Sequence, residues 1–213
     1  MTEHLDMPPA FVAPPGACDA HFHVFCPAAR YPYAGGLRYT PPLAPLDDYL
    51  ALAAHLHLTR HVFVQPSAYG RDNRCMLDAM RAARDRGLSC RGIVDVEDTV
   101  TGPELDAMDA LGVRGIRINV SPVHPPTPGL AASMLPRIAT MNRLCQARGW
   151  HLDFLLPGWL THELMPTLAA LDVRFSLAPR GMMKAADGVL QPGFQALLQL
   201  LDAAPRRCWL KLT

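Results

Sequence analysis

The sequence lacks an excess of either charge: 20 Lys and Arg stand against 19 Asp and Glu, for a formal net charge of +1. Such a chain sets up no strong field toward nucleic acid or an acidic lipid surface. It also lacks any apolar run near the roughly 18 residues of a membrane span. Neither nucleic acid nor membrane is therefore expected as a partner. The opening "MTEHLDMPPAFVAPPG" has neither the basic start nor the apolar centre of a secretory leader, and a cytoplasmic protein is expected. The six cysteines (Cys18, Cys26, Cys75, Cys90, Cys145, Cys208) include no CxxC pair, so they read as reduced, buried small hydrophobes rather than as staples. No glycine-rich dinucleotide loop follows the first strand pattern, which counts against a doubly wound sheet.

What is present is a globular composition, half apolar and 18% charged, in 213 residues. Residues 1–15 read as an irregular segment and 16–213 as one domain. Short apolar runs ("HVFVQP", "CRGIVDVE", "RGIRINV", "HLDFLLP", "VRFSLAP", "CWLKLT") alternate with amphipathic ones ("LDDYLALAAHLH", "NRCMLDAMRAARDRG", "GPELDAMDALG", "LAASMLPRIATMNRLCQARG", "THELMPTLAALD", "PGFQALLQLLDAA"). That alternation predicts an α/β fold, a parallel sheet covered by helices. Asn73 is placed to cap the second helix and Gly87 to end it. About seven strands are counted, so the expectation is a (β/α)8 TIM-like barrel truncated after strand 7, with strand 8 missing beyond Thr213.

The chemistry begins at "GACDAHFHVFCP". In a strand, residues i and i+2 face the same side, so His21 and His23 aim two imidazoles at one place near the C-terminal strand end, where barrels keep their reacting groups. Two imidazoles there suit a metal pair or a pair that polarises a carbonyl. The "RGIR" run carries Arg114 and Arg117. Each reads either as solvated surface or as a bidentate carboxylate binder, and Arg117, inside the apolar run, stands out. His151 and Asp153 repeat the i, i+2 spacing. His55, His57, His61, His124 and His162 read as solvent-facing, while Met182 and Met183 read as packing. Tyr31, Tyr33 and Tyr69 read equally well as packing in the long loops.

The stretches "CDAHFHVF", "RYPYAGGLRYTPPLAPLDDYLAL", "HVFVQPSAYGRDN", "GVRGIRINV", "GWHLDFLLPG" and "GMMKAADGVLQPGFQALL" together resemble the amidohydrolase-2 family of the amidohydrolase superfamily. They are most similar to its 2-pyrone-4,6-dicarboxylate lactonase branch. The resemblance implies a (β/α)8 barrel hydrolase that opens the lactone ring of a small dicarboxylate in aromatic compound degradation. It implies His21 and His23 as catalytic residues, and Tyr39, Ser67, Arg114 and Arg117 as substrate-binding residues, with Gln65 beside them. For the lactonase branch it implies no required cofactor; for other relatives it implies a divalent ion such as zinc, held in part by His21 and His23.

Three departures stand against that pattern. Pro179 occupies the place of a strand-6 His, followed by Arg180 as a cation that cannot act as a ligand or base while protonated. Asp153 replaces a Gln-like residue. The strand-8 segment carrying the Asp that serves as general base is not among the 213 residues. Besides a lactonase fragment or diverged copy, two readings stay open. One is a metal-dependent hydrolase or decarboxylase of a cyclic acid. The other is an inactive remnant with only a binding role. Nothing in the sequence assigns an oligomeric state.

Overall fold

The structure, a computed structural model, describes residues 8–37 and 39–212, less the side chains of residues 179 and 180. The chain divides into two compact units, one running to Arg114 and one beginning at Gly115.

In the first unit, β1 (Cys18–Phe22), β2 (Arg60–Val64) and β3 (Ser89–Val94) lie side by side in sequence order, all parallel. The helices α1 (Leu46–His55), α2 (Arg74–Asp85) and α3 (Gly102–Leu111) occupy the connections. Phe63, Met76 and Met80 are fully buried between strands and helices. The approach is close: a Cβ on Gly92 would lie 2.5 Å from the sulfur of Met80, so a side chain there would have to push the Met80 thioether aside. At the start of α3, Thr101 accepts from the Glu104 amide while the Glu104 carboxylate accepts from the Thr101 amide. This reciprocal cap is what "TGPE" encodes.

Asn73 does precede α2, but its side chain does not cap it. It bonds both backbone groups of Asp95 instead. Gly87 ends that helix with φ +77°, as its position suggests.

In the second unit, β4 (Val113–Asn119, its first two residues belonging to the first unit), β5 (His151–Leu155), β6 (Phe175–Leu177) and β7 (Cys208–Leu210) again pair parallel in sequence order. The long helix α4 (Leu130–Arg148) carries Pro136 inside it, and α7 (Pro192–Ala203) precedes β7. The run read as one helix, "THELMPTLAALD", belongs to two: α5 (Gly158–Glu163) and α6 (Met165–Ala169). Pro166 carries no N–H to continue the α5 ladder, so a new helix starts with proline in its first turn. Ile116, Ile118, Leu152, Phe154 and Phe175 form the apolar core, with the Phe154 and Phe175 rings edge to face at 6.2 Å.

Both units are therefore parallel α/β structures, as the alternation of runs predicts. No helix among the described residues is long and apolar enough to cross a membrane. Cys75, Cys90, Cys145 and Cys208 are buried as expected. Cys18 is not: it lies exposed on β1, and Cys26 is half-buried.

Candidate active site

The register between β1 and β2 slips by one residue between Asp19 and Phe22, the mark of a β-bulge. The Asp19 carboxylate accepts from the His21 amide across this bulge, at 3.0 Å. Beyond it the two histidines converge, their Nε2 atoms 3.4 Å apart and their rings nearly perpendicular. His23 Nδ1 lies 2.8 Å from the carbonyl oxygen of Val64. A carbonyl only accepts, so Nδ1 carries the proton and, in the neutral ring, Nε2 of His23 presents a lone pair. His21 then donates its own Nε2–H to that lone pair, at 3.4 Å.

The pair supplies two nitrogens to an ion. Zinc sites take three or four protein ligands, and among the described residues no group of three or more His, Cys, Asp or Glu is placed to hold a metal. The two imidazoles fit part of such a set and do not complete it.

Other predicted residues of the first unit take different places. Gln65 is buried, but its amide donates to the carbonyls of Gly70 (3.0 Å) and Asp72 (2.9 Å), where it shapes the turn after β2. Ser67 is exposed at the head of the short 3-10 turn 67–69, and Tyr39 is exposed on the long loop. Tyr31 packs inward and donates to Asp78, with its phenol pushed up to about 12 by burial and that partner. The hydroxyl of Tyr69 accepts from the Cys26 amide and donates to its carbonyl, pinning the long loop near the histidines. His61 is not solvent-facing: it is buried, with Nδ1 2.9 Å from the Tyr49 hydroxyl, and burial holds its pKa below the ordinary value.

Arg114 and Arg117 are three positions apart on one strand and so point to opposite faces. The Arg114 guanidinium turns back to α3, donating to the carbonyl and carboxylate of Asp109. Arg117 is buried and lies 3.6 Å from Asp153. Asp153 is the centre of a group that sequence reasoning left incomplete. Its Oδ1 accepts from Ser176 Oγ at 2.6 Å and from Lys211 Nζ at 2.6 Å. Burial pushes this carboxyl up, but Lys211, Arg117 and the hydrogen bonds outweigh burial and hold it below the ordinary carboxylate value. The ladder explains the grouping, because Arg117 is in register with Asp153 and Asp153 with Ser176. The i, i+2 pair His151 and Asp153 was the visible signal. Ser176 and Lys211 gave none.

A cleft of about 990 Å³ opens among the loops that follow β4, β5 and β6. His124, Trp159, His162, Met182, Met183 and Lys184 line it. Thus His124 and His162 border a cavity, and Trp159 Nε1 donates to the His124 carbonyl at 2.8 Å. The expectations for the Pro179 and Arg180 side chains and for Thr213 lie outside the described residues.

Comparison with known proteins adds the lineage. A 4-sulfomuconolactone hydrolase of Hydrogenophaga intermedia is 33% identical over 211 residues, covering 99% of this chain and 67% of that protein. A 2-pyrone-4,6-dicarboxylate hydrolase of Comamonas testosteroni is 33% identical over 194 residues, 91% of this chain and 61% of that protein. Among solved structures, a probable 2-pyrone-4,6-dicarboxylic acid hydrolase of Acinetobacter baumannii, crystallised with citric acid bound, superposes with a TM-score of 0.77. It is 25% identical, and the match covers 93% of this chain and 70% of that one. The chain spans about two thirds of the length of these relatives. The family model described as Amidohydrolase (Amidohydro_2) matches residues 18–213, and the chain, with its parallel α/β units and its paired histidines at the end of β1, belongs to that family.

Proposed function

We propose that this chain carries the carbonyl-polarising and carboxylate-binding part of a lactonase-type hydrolase, acting on a cyclic dicarboxylate such as 2-pyrone-4,6-dicarboxylate. The observation that carries the reading is the convergence of His21 and His23, with the proton of His23 fixed on Nδ1 by Val64. On this reading His21 turns its Nε2–H from His23 to the lactone carbonyl oxygen when the substrate binds, making its carbon more open to attack by water. In the first unit Tyr39 and Ser67, both open to solvent, are the substrate-binding residues, and in the second Arg117 is the carboxylate binder. Arg114, spent on Asp109, contributes least. The names of the relatives support the reaction class, and the parallel sequence-ordered strands support a (β/α)8 barrel of which this chain forms strands 1 to 7, in one domain from residue 16.

The test is calorimetric titration of the full chain with 2-pyrone-4,6-dicarboxylate and with its neutral dimethyl ester. The dicarboxylate should bind more tightly, and Arg117→Met should weaken it at least tenfold while leaving the ester unchanged. Equal affinity for the two ligands, or equal losses on substitution, would overturn the assignment.

A second reading keeps the fold and uses a divalent ion. What favours it is the spacing of the two Nε2 atoms, which suits neighbouring ligands of one cation. Stoichiometric zinc in the purified protein, lost on His21→Ala, is its signature.

A further inference from the structure

The mechanism above uses Arg117 alone of the buried charged groups, yet the second unit holds three charged groups and a hydroxyl in one row. Arg117 on β4, Asp153 on β5 and Ser176 on β6 are successive register partners, and Lys211 follows the last residue of β7. Side-chain exposure is 3% for Arg117, 1% for Asp153 and 14% for Lys211.

A carboxylate removed from water this completely is a poor device for stability alone, since apolar groups of similar volume commonly do as well or better. Its geometry suggests another use. Asp153 contacts Lys211 Nζ at 2.6 Å through Oδ1, and Arg117 Nε at 3.6 Å through Oδ2. One carboxylate thus pairs with two cations, one on β4 and one just past β7, the Arg117 contact being an ion pair without a hydrogen bond, and Ser176 Oγ donates to the carboxylate. Arg117 lies two residues from the C-terminal end of β4 and Lys211 just past that of β7, so both stand on the side of the strands where barrel enzymes bind their ligands. Lys211 keeps the most exposure of the three and is where an incoming anion first meets the row.

Resting on the lactonase reading, we propose that Asp153 is a positioning residue for carboxylate recognition. It holds Arg117 and Lys211 as a matched pair of cations for one carboxylate of the substrate. Lys211 thereby becomes a substrate-binding residue beside Arg117. Asp153 itself does not touch the substrate; it acts by fixing where the two cations stand.

The experiment is a double-variant cycle read by calorimetric titration of the full chain with 2-pyrone-4,6-dicarboxylate and its dimethyl ester. Asp153→Asn keeps the shape and removes the charge. It should weaken the dicarboxylate at least tenfold and leave the ester within twofold. Lys211→Met should do the same. The double variant should lose less than the two single losses combined, because Asp153 acts partly through Lys211 and partly through Arg117. A purely structural role predicts equal losses for both ligands, and that result would overturn the proposal. So would an unchanged dicarboxylate affinity in Asp153→Asn, or losses that simply add. If Asp153→Asn does not fold, Ser176→Ala takes its place. A selective loss for the dicarboxylate supports positioning, and no selectivity overturns it. Failure of the wild-type chain to prefer the dicarboxylate refutes the lactonase reading itself and this proposal with it, an outcome distinct from a variant-only failure.

Discussion

Lys211 Nζ sits 2.6 Å from Asp153 Oδ1, joining a residue that follows the last strand to one in the middle of β5. Two residues 58 positions apart in the sequence thus close a buried charged contact. The contact has a measurable acid signature.

Asp153 has its carboxyl held below the unfolded value of 3.8, so its stabilising effect is complete above that pH and is lost as pH falls through the lower folded value. Thermal melts from pH 7 downward should show a steeper acid loss of stability in the wild type than in Asp153→Asn. Parallel acid limbs would show that the carboxylate contributes nothing to this dependence.

His61 behaves with the same sign for a different reason. Burial favours its neutral ring and lowers its pKa from 6.5, so the unfolded chain takes up the proton first. Stability is complete above about pH 6.5 and declines as pH drops from there toward the folded value. His61→Gln, compared with wild type by urea unfolding at pH 7.5 and 5.5, should remove that decline.

Gly115 is where the "RGIR" run meets β5. A Cβ there would stand 2.7 Å from Cε1 of the His151 ring, its register partner. Gly115→Ala should cost about 1–3 kcal/mol in urea unfolding, the usual range for overpacking. The loss should shrink when His151→Ala is made with it. Additive losses would mean that the ring is not the obstacle.

Thr101 closes the reciprocal cap of α3 with Glu104. Thr101→Ala should destabilise by about 1 kcal/mol and Thr101→Ser by a few tenths. An equal loss in both would place the effect in the methyl group rather than the hydroxyl.

The order of strands and helices was readable because each apolar run was short and each helical run amphipathic, so local pattern and tertiary position agreed. The convergence of His21 and His23 followed from strand parity, though the bulge that sharpens it did not. Parity also separates Arg114 from Arg117, and an even-odd count along "VRGIRIN" would have turned Arg114 away from Arg117 from the outset. Ser176 and Lys211 were unreadable for a physical reason. Their role depends on register across β5, β6 and β7, and no short-range pattern carries register between strands joined through helices. His61 failed likewise: it is buried and its ring meets Tyr49 on α1, a contact that no pattern within the strand announces.

Gln65 gives the turn after β2 a further property. With its amide bound to the carbonyls of Gly70 and Asp72, the segment bearing Ser67 takes its shape when the chain folds. The configurational entropy of ordering that segment is spent before any ligand arrives. On the lactonase reading, a substrate meeting Ser67 therefore encounters a rim already in its final form rather than a loop that must be ordered.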